Sequence, residues 1–311
     1  MILVKVASTA VTTKLLGGSL DQIKDAISQA WVDGQSLRTY RHAPNAGSRK
    51  SWAAGDATSR AVRLAMITMS GEMGYPGVLS APVWGFEDVS FDGEKLALPQ
   101  AFESYVMENI LFKISFPAEF HAQTAVEAAV KLHDQIKDKI DDVKSIEITT
   151  HESAIRIISK VGELNNPADR DHCLQYMVAI GLLKGNLVAE DYEDDVANDP
   201  RIDTLREKMV INEDKRYTKE YLEADKRSIA NRIQIHFNDG TSTDEVEVEY
   251  PIGHRRRRKE GIPILENKFK RNLDITFDKE VSEKIFELCM NQKELEETSV
   301  IDFQNLLSKK I

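Results

Sequence analysis

Two kinds of hydrophobic spacing occupy different parts of this chain, and together they restrict its fold class. Apolar residues alternate in Val143 to Thr149, and again in Arg232 to Phe237 and in Thr243 to Tyr250. The last two runs flank Asn238-Asp239-Gly240, and an Asp-Gly pair between alternating runs predicts an antiparallel hairpin. Helices are predicted for most of the other segments, at residues 3–16, 20–31, 51–69, 121–138, 153–159, 169–183 and 262–311. A helical first third followed by mixed helices and strands predicts an α+β fold.

The helical pattern gives way near Asn109, where the segment LFKISFPAEFH carries apolar residues interrupted by Pro117. We place a domain boundary there, because proline within an apolar run is typical of an extended or looped link. The predicted domains are a helical part at residues 1–111, an α+β part at 112–251 and a helical tail at 252–311. Within the first part, Ser80 to Asp92 is expected to be irregular, with Trp84 and Phe86 packed in the core.

Composition excludes several classes of protein. The chain has 311 residues, of which 41% are hydrophobic and 30% charged, as in globular domains, and it has no run of eighteen apolar residues that predicts a membrane span. Its two cysteines, Cys173 and Cys289, do not suggest a disulfide framework, so a reducing, intracellular compartment is expected. CxxC and HxxxH spacings are absent from the sequence, so no iron–sulfur, zinc or other cofactor is predicted.

A local basic cluster stands out in Leu37 to Arg63, although the formal net charge of the whole chain is −10. Its charged members are Arg38, Arg41, His42, Arg49, Lys50, Arg60 and Arg63. Cations concentrated where a loop enters a helix favour a site for a small anion, because the exposed N–H groups at a helix start add to their charge. The alternative is a solvated loop and helix face.

Long blocks of the sequence resemble the MmgE/PrpD family. They include RTYRHAPNAGSRKSWAAGDATSRAV, GEMGYPGVLSAPVWGF, SYVMENILFKISFPAEFH, LNNPADRDHCLQYMVAIGLL and VEYPIGHRRRRKEGIP. The resemblance implies a discontinuous all-α domain, to which the helical tail returns, and a smaller α+β lid. It also implies a metal-independent hydro-lyase that dehydrates 2-methylcitrate, found as a homodimer in bacterial cytoplasm or the mitochondrial matrix.

The resemblance also implies roles for individual residues. Lys50, Lys113, His121 and Tyr176 are the predicted catalytic residues, and Arg41, His42 and Arg49 are predicted to bind the substrate carboxylates. Three of these residues have a plainer interpretation: His42 as a loop histidine bonded to backbone, His121 as a helix-capping histidine, and Tyr176 as an aromatic residue in the core. Relatives carry a further helical segment, with an acidic residue and histidines, before the point equivalent to Met1. The chain is therefore expected to be the C-terminal portion of a longer protein.

The densest basic run, GHRRRRKEG at residues 253–261, is expected to be a solvated or subunit-facing loop. It lacks the interleaved aromatic residues typical of nucleic-acid binding, so no nucleic-acid partner is predicted. One of its arginines could approach the substrate, and the sequence does not indicate which.

Three functions remain open at this point. The first is dehydration of the tricarboxylate 2-methylcitrate. The second, on the same fold, is decarboxylation of cis-aconitate or citrate/aconitate hydratase-like chemistry. The third is a non-catalytic binding protein, as expected if a truncated chain lacks part of the catalytic set.

Overall fold

The computed structural model describes residues 1–34, 37–41, 45–98, 106 and 110–308. Two compact units divide the chain. The first consists of Met1–Glu103 with Leu164–Asp169, and the second of Ser104–Glu163 with Arg170–Ile311.

Three helices form the first unit: Ile2–Leu15, Leu20–Val32 and Arg49–Met69. They pack through small side chains, among them Ala30 and Ala61, which have no exposed surface. A short helix, Phe86–Ser90, and a 3-10 turn, Thr39–Arg41, also belong to it.

The second helix begins at a capping box. The Ser19 hydroxyl accepts a hydrogen bond from the Gln22 N–H at 3.2 Å, and the Gln22 side chain accepts one from the Ser19 N–H at 2.9 Å. Both pairings satisfy donors that a helix start leaves open, which is why the chain enters the helix at Ser19.

In the described part of the second unit, a four-stranded mixed sheet has the strand order β2-β1-β3-β4. The strands are β1 Val143–Thr150, β2 Met209–Glu213, β3 Asn231–Phe237 and β4 Val246–Val248. β2 runs parallel to β1, whereas β3 is antiparallel to both β1 and β4. The hairpin predicted around Asp239-Gly240 is therefore confirmed.

The core of this unit lies between the sheet and two helices, Gln123–Ile136 and Leu174–Lys184, which pack on each other. Their close approach depends on Gly181, since a Cβ added there would lie 3.0 Å from the Ala129 Cβ. Further helices of the described chain are Glu152–Ile158, Pro167–Arg170, Asp194–Ala197, Pro200–Glu207, Lys215–Leu222, Arg258–Thr276, Lys279–Met290, Gln292–Glu297 and Val300–Leu307. Of these, Pro167–Arg170 straddles the boundary between the two units.

Some details of the predicted fold are wrong. Trp84 is 85% exposed and not part of the core, whereas Phe86 contacts the Trp31 ring at 4.6 Å between centroids. The helix predicted at residues 169–183 is interrupted, because its pieces are Pro167–Arg170 and Leu174–Lys184. The α+β class is confirmed by the helices and the small sheet, while the domain boundaries and the return of the tail stay predictions.

We expect the charge of Asp33 to make the largest electrostatic contribution to the stability of the first unit. Lys5 is only 3% exposed, and its ammonium lies 3.4 Å from an Asp33 oxygen that Arg60 also contacts at 2.8 Å. Burial opposes the charge of Asp33, but the Arg60 hydrogen bond and the Lys5 charge hold its pKa below the ordinary value. Asp33→Asn leaves a buried ammonium without its counter-charge, and should lower the free energy of unfolding by about 2–3 kcal/mol.

Urea denaturation followed by circular dichroism measures this change. The matched control is Asp21→Asn, because Asp21 pairs with Lys24 at 3.2 Å on the surface. That pair should contribute less than about 1 kcal/mol. Equal effects of the two substitutions would contradict the assignment.

Candidate active site

A chain of hydrogen bonds joins Glu119, His121 and Tyr221 in the second unit. The His121 Nδ1 lies 2.9 Å from each oxygen of the Glu119 carboxylate. The His121 Nε2 lies 3.1 Å from the Tyr221 hydroxyl. An ionised carboxylate only accepts, so in the neutral ring Nδ1 carries the proton and Nε2 accepts from Tyr221. A histidine oriented in this way by a carboxylate can accept a proton at Nε2.

Local structure holds His121 in place. Glu119 precedes the 3-10 turn Phe120–Ala122 and accepts a hydrogen bond from the His121 backbone N–H at 2.8 Å. The His121 carbonyl accepts one from the Asn231 side chain at 3.0 Å, at the start of β3. The side chains of His121 and Glu119 are 12% and 14% exposed, so the pair is largely removed from water.

His151 adds a third ring to this arrangement. It follows β1 directly and caps the helix Glu152–Ile158, where its Nδ1 accepts from the Ala154 N–H at 3.3 Å. The His151 ring stacks on Tyr221, with 4.5 Å between centroids and 9° between planes, and its centroid lies 5.2 Å from that of His121.

A cavity of about 600 Å³ opens beside these rings. Its lining residues are Val106, Ile110, Leu111, Phe120, His121, Tyr221, Arg227, Ile229, His254 and Arg255. Half of them are apolar, while His121, Tyr221 and His254 bring proton-transfer groups, and Arg227 and Arg255 bring positive charge. This combination suits an anionic small molecule with an aliphatic part.

The structure separates the four consecutive arginines by their contacts. Arg257 pairs with Glu127 at 2.9 Å and with Glu260 at 2.8 Å, and Arg258 donates to the Ile110 carbonyl at 3.0 Å. Arg256 donates to the Asp225 carbonyl at 2.8 Å and lies over the Tyr250 ring. Of the four, Arg255 lines the cavity, although its guanidinium also donates to the Asp225 carbonyl at 2.7 Å.

Burial and neighbouring charges set the protonation states here. Burial, followed by the nearby charge of His121, lowers the pKa of His151 to about 4. Burial, followed by Arg256 and Arg255, lowers the pKa of His254 to about 4. Burial opposes the charge of Glu119, but its hydrogen bonds with His121 hold its pKa below the ordinary value. Burial, then the Glu119 charge, raises the pKa of Tyr221, so its phenol stays protonated near neutral pH.

The residues predicted in the basic cluster lie in the first unit, and His42 lies outside the described residues. Lys50 is in the first turn of its helix and donates to the Ala168 carbonyl at 3.0 Å. Arg49 pairs with Asp56 at 2.7 Å and lies over the Trp52 ring. The Arg41 guanidinium lies 5.8 Å from the centroid of the Tyr40 ring. Their predicted roles stay predictions.

Lys113 and Tyr176 share the second unit with His121, but neither lines the described cavity. The Lys113 side chain is exposed, and its carbonyl accepts a hydrogen bond from Lys268 at 2.7 Å. Tyr176 is 2% exposed and donates to the Asp191 carbonyl at 2.6 Å; burial raises its pKa to about 12. Their catalytic roles also stay predictions.

Sequence reasoning missed Glu119, His151, Tyr221 and Arg227. A signal existed only for Glu119, which stands two residues before His121 in FPAEFH. In the described chain, no group of three or more His, Cys, Asp and Glu side chains is placed to hold a metal ion. None of the described helices combines the length and the apolar character needed to cross a membrane.

Comparison with known proteins gives matches along most of the chain. The family model described as the MmgE/PrpD C-terminal domain matches residues 116–292, and that of the MmgE/PrpD N-terminal domain matches residues 1–99. The chain is 59% identical over 309 residues to a 2-methylcitrate dehydratase of Escherichia coli (strain K12), covering 98% of this chain and 64% of that protein.

Two other relatives give similar values. A 2-methylcitrate dehydratase of Cupriavidus necator is 56% identical, with 98% of this chain and 64% of that protein covered. A mitochondrial 2-methylcitrate dehydratase of Yarrowia lipolytica is also 56% identical, with 100% and 60% covered. The chain thus spans slightly less than two thirds of the length of these relatives.

Protonation of the buried histidines should destabilise the fold in mild acid. The pKa of His254 is near 4 in the folded chain and about 6.5 in an unfolded one. The unfolded chain therefore binds more protons between these values, and stability falls as the pH drops from 6.5 towards 4. Carboxylates with lowered pKa values, such as Glu119, lose their stabilisation only below their own ordinary pKa of about 4.3.

Between pH 7 and pH 4.5, the free energy of unfolding should fall by about 1–2 kcal/mol less in His254→Asn than in the wild type. This value allows for partial solvent access to the ring. Asparagine keeps a capping acceptor for the Arg256 N–H, which the His254 ring now provides at 3.2 Å. Chemical denaturation at both pH values measures the difference, and the pH 7 comparison serves as the internal control. An unchanged slope would contradict the buried, neutral state of His254.

Proposed function

The chain belongs to the MmgE/PrpD family, and we propose that it carries catalytic groups of a hydro-lyase that dehydrates 2-methylcitrate to 2-methyl-cis-aconitate. Its similarity to 2-methylcitrate dehydratases supports the substrate. The observation that carries the chemistry is the Glu119–His121–Tyr221 hydrogen-bond chain, whose last two members line a cavity that Arg227 and Arg255 also line.

Dehydration removes a C–H proton and a hydroxyl group from neighbouring carbons, so a base and an acid must act on the same substrate. His121 takes the proton at Nε2, and the Glu119 carboxylate stabilises the imidazolium that forms. The Tyr221 phenol protonates the departing hydroxide to give water. Tyr221 then recovers a proton from His121 through their hydrogen bond. The enzyme groups end as they began, and the substrate has lost one water.

The carboxylates of the substrate carry about three negative charges near neutral pH, and cations must hold them before an adjacent proton can be removed. Arg227 and Arg255 are the proposed carboxylate ligands of the described cavity. The aliphatic walls formed by Ile110, Leu111 and Ile229 would receive the methyl group.

The residues inferred from the resemblance remain part of the proposal. Lys50, Lys113 and Tyr176 would act in catalysis, and Arg41, His42 and Arg49 would bind substrate carboxylates. Their support is the resemblance of the surrounding sequence blocks. The proposal further includes metal independence, a homodimer, and a location in cytoplasm or mitochondrial matrix. The name of the Yarrowia lipolytica relative describes that protein as mitochondrial.

Incubation of the purified protein with 2-methylcitrate tests the function. The conjugated product should increase the ultraviolet absorbance, and treatment with a chelator should leave the rate unchanged. Product analysis by NMR distinguishes the runner-up reaction, since decarboxylation of cis-aconitate releases CO₂ and shortens the carbon chain. Calorimetric binding of 2-methylcitrate without turnover would instead favour a non-catalytic binding protein.

Loss of the proton-transfer groups should reduce turnover. Tyr221→Phe removes one hydroxyl and keeps the ring, and His121→Asn removes the base; each should lower kcat by about 10²–10⁴-fold. The control is Tyr75→Phe, which removes a hydroxyl from an exposed tyrosine of the first unit. Steady-state kinetics measures the effect, and normal kcat in both cavity variants would exclude this pair as acid and base.

Loss of the cavity arginines should weaken substrate binding. Arg227→Gln and Arg255→Gln each remove a charged hydrogen-bond donor, so KM should rise by about 10–100-fold. Arg201→Gln is the matched control, because Arg201 is an exposed arginine paired with Asp199 at 2.6 Å. If the three substitutions raised KM equally, general charge loss would explain the result, and the assignment of Arg227 and Arg255 as carboxylate ligands would be wrong.

A further inference from the structure

His151 is completely buried, yet the hydro-lyase chemistry proposed above does not use it. Its Nδ1 accepts from the Ala154 N–H, so the neutral ring carries its proton on Nε2. Among the described residues, that buried Nε2 has no hydrogen-bond partner. A costly buried polar ring at this position requires an explanation, since an apolar side chain would avoid the penalty.

The geometry around the ring indicates what His151 does. Its face covers the face of Tyr221, with 4.5 Å between centroids and 9° between planes. The same Tyr221 reaches the His121 Nε2 through its hydroxyl at 3.1 Å. His151 therefore packs on the ring whose hydroxyl completes the hydrogen-bond chain.

A second contact fixes the relative position of the two segments. The Glu152 N–H, next to His151, donates to the Thr218 hydroxyl at 2.9 Å. Thr218 lies three residues before Tyr221 in the helix Lys215–Leu222, so the two side chains share a face of that helix. The hydrogen bond sets the register of the helix against the end of β1, and the stacked rings set its rotation.

We infer that His151 is a positioning residue, which holds the Tyr221 ring by stacking so that the phenol hydroxyl meets the His121 Nε2. This inference rests on the proposed function for its catalytic consequence. His151 does not touch the reacting atoms, and it acts through Tyr221 alone. Because its pKa is lowered to about 4, the ring stays neutral and does not compete with His121 for protons near neutral pH.

Two substitutions separate the roles of His151 as helix cap and as stacking partner. His151→Asn keeps a capping acceptor and removes the ring, so the melting temperature should stay close to that of the wild type. His151→Phe keeps a ring against Tyr221 and removes the cap, so the melting temperature should fall. If stacking positions Tyr221, kcat should fall about 10–100-fold in His151→Asn, since small displacements of catalytic groups have effects of this size. It should stay within about threefold of wild type in His151→Phe, with KM little changed in both.

A double-mutant cycle tests whether His151 acts through Tyr221. In a Tyr221→Phe background the hydroxyl is already absent, so adding His151→Asn should lower kcat by less than about twofold. Losses that multiply would show an independent role and overturn the inference. Equal losses of kcat in His151→Asn and His151→Phe would also overturn it, because the Nε2–H or the cap, and not the stack, would then be responsible.

An NMR measurement makes the inference independent of turnover. With ¹⁵N-labelled histidine, the His121 ring nitrogens report the hydrogen bond to Tyr221. Their shifts should change alike in His151→Asn and Tyr221→Phe, and should stay near wild type in His151→Phe. If the wild type failed to convert 2-methylcitrate but these shifts followed this pattern, the proposed function would fail while the positioning role stood. Unchanged His121 shifts in His151→Asn would refute the positioning role.

Discussion

Helix capping is the interaction on which the candidate site depends. Glu119 accepts a hydrogen bond from the N–H two residues on, His151 from that of Ala154, and His254 from that of Arg256. Each therefore satisfies a donor that a helical turn leaves open at its start. The cap fixes the backbone and the side chain of the residue together, so three polar groups are held in place without long side-chain networks. Functional groups placed in this way lose little conformational entropy when a ligand binds.

The caps converge because of the sheet. β1 ends at Thr150 directly before His151, and β3 begins at Asn231, whose side chain donates to the His121 carbonyl. These two strands are antiparallel neighbours, so the end of one lies beside the start of the other. Segments more than a hundred residues apart in sequence are thereby brought together where β1 ends and β3 begins.

Local elements can be predicted from the sequence, whereas contacts between distant segments cannot. Most of the predicted helices and the hairpin at Asp239-Gly240 carry local periodic or turn signals and agree with the structure. The helices Phe86–Ser90 and Lys215–Leu222 were not predicted. β2, Met209–Glu213, was missed because its residues alternate only between half-buried and exposed, as at an edge, so its apolar pattern is weak. Trp84 was misplaced because an aromatic residue without a periodic neighbourhood gives no information about which side faces water.

In the candidate site, too, some residues could be predicted from local sequence and others only from tertiary contacts. His121 was identified as a candidate from its sequence block, and Glu119 could have been, since it stands two residues away. Tyr221 contacts His121 across a hundred residues of sequence, so only the tertiary structure reveals the pair. Likewise, four consecutive arginines look equivalent in sequence, and their separate contacts distinguish Arg255 from its neighbours.

The local charges of the cavity also explain how a chain with a negative net charge could bind a polyanion. With a net charge of −10, long-range attraction of a tricarboxylate is not expected from the protein as a whole. Arg227 and Arg255 line the cavity locally, and the positive charge of Arg255 also helps to keep the adjacent His254 ring neutral. Burial is the first cause of the lowered pKa of His254, followed by the charges of Arg256 and then Arg255. Arg255 would therefore both attract carboxylates and oppose a further positive charge on His254. Binding and proton transfer can then be assigned to different groups, because permanent charge resides on the arginines while the His121–Tyr221 pair remains able to exchange protons.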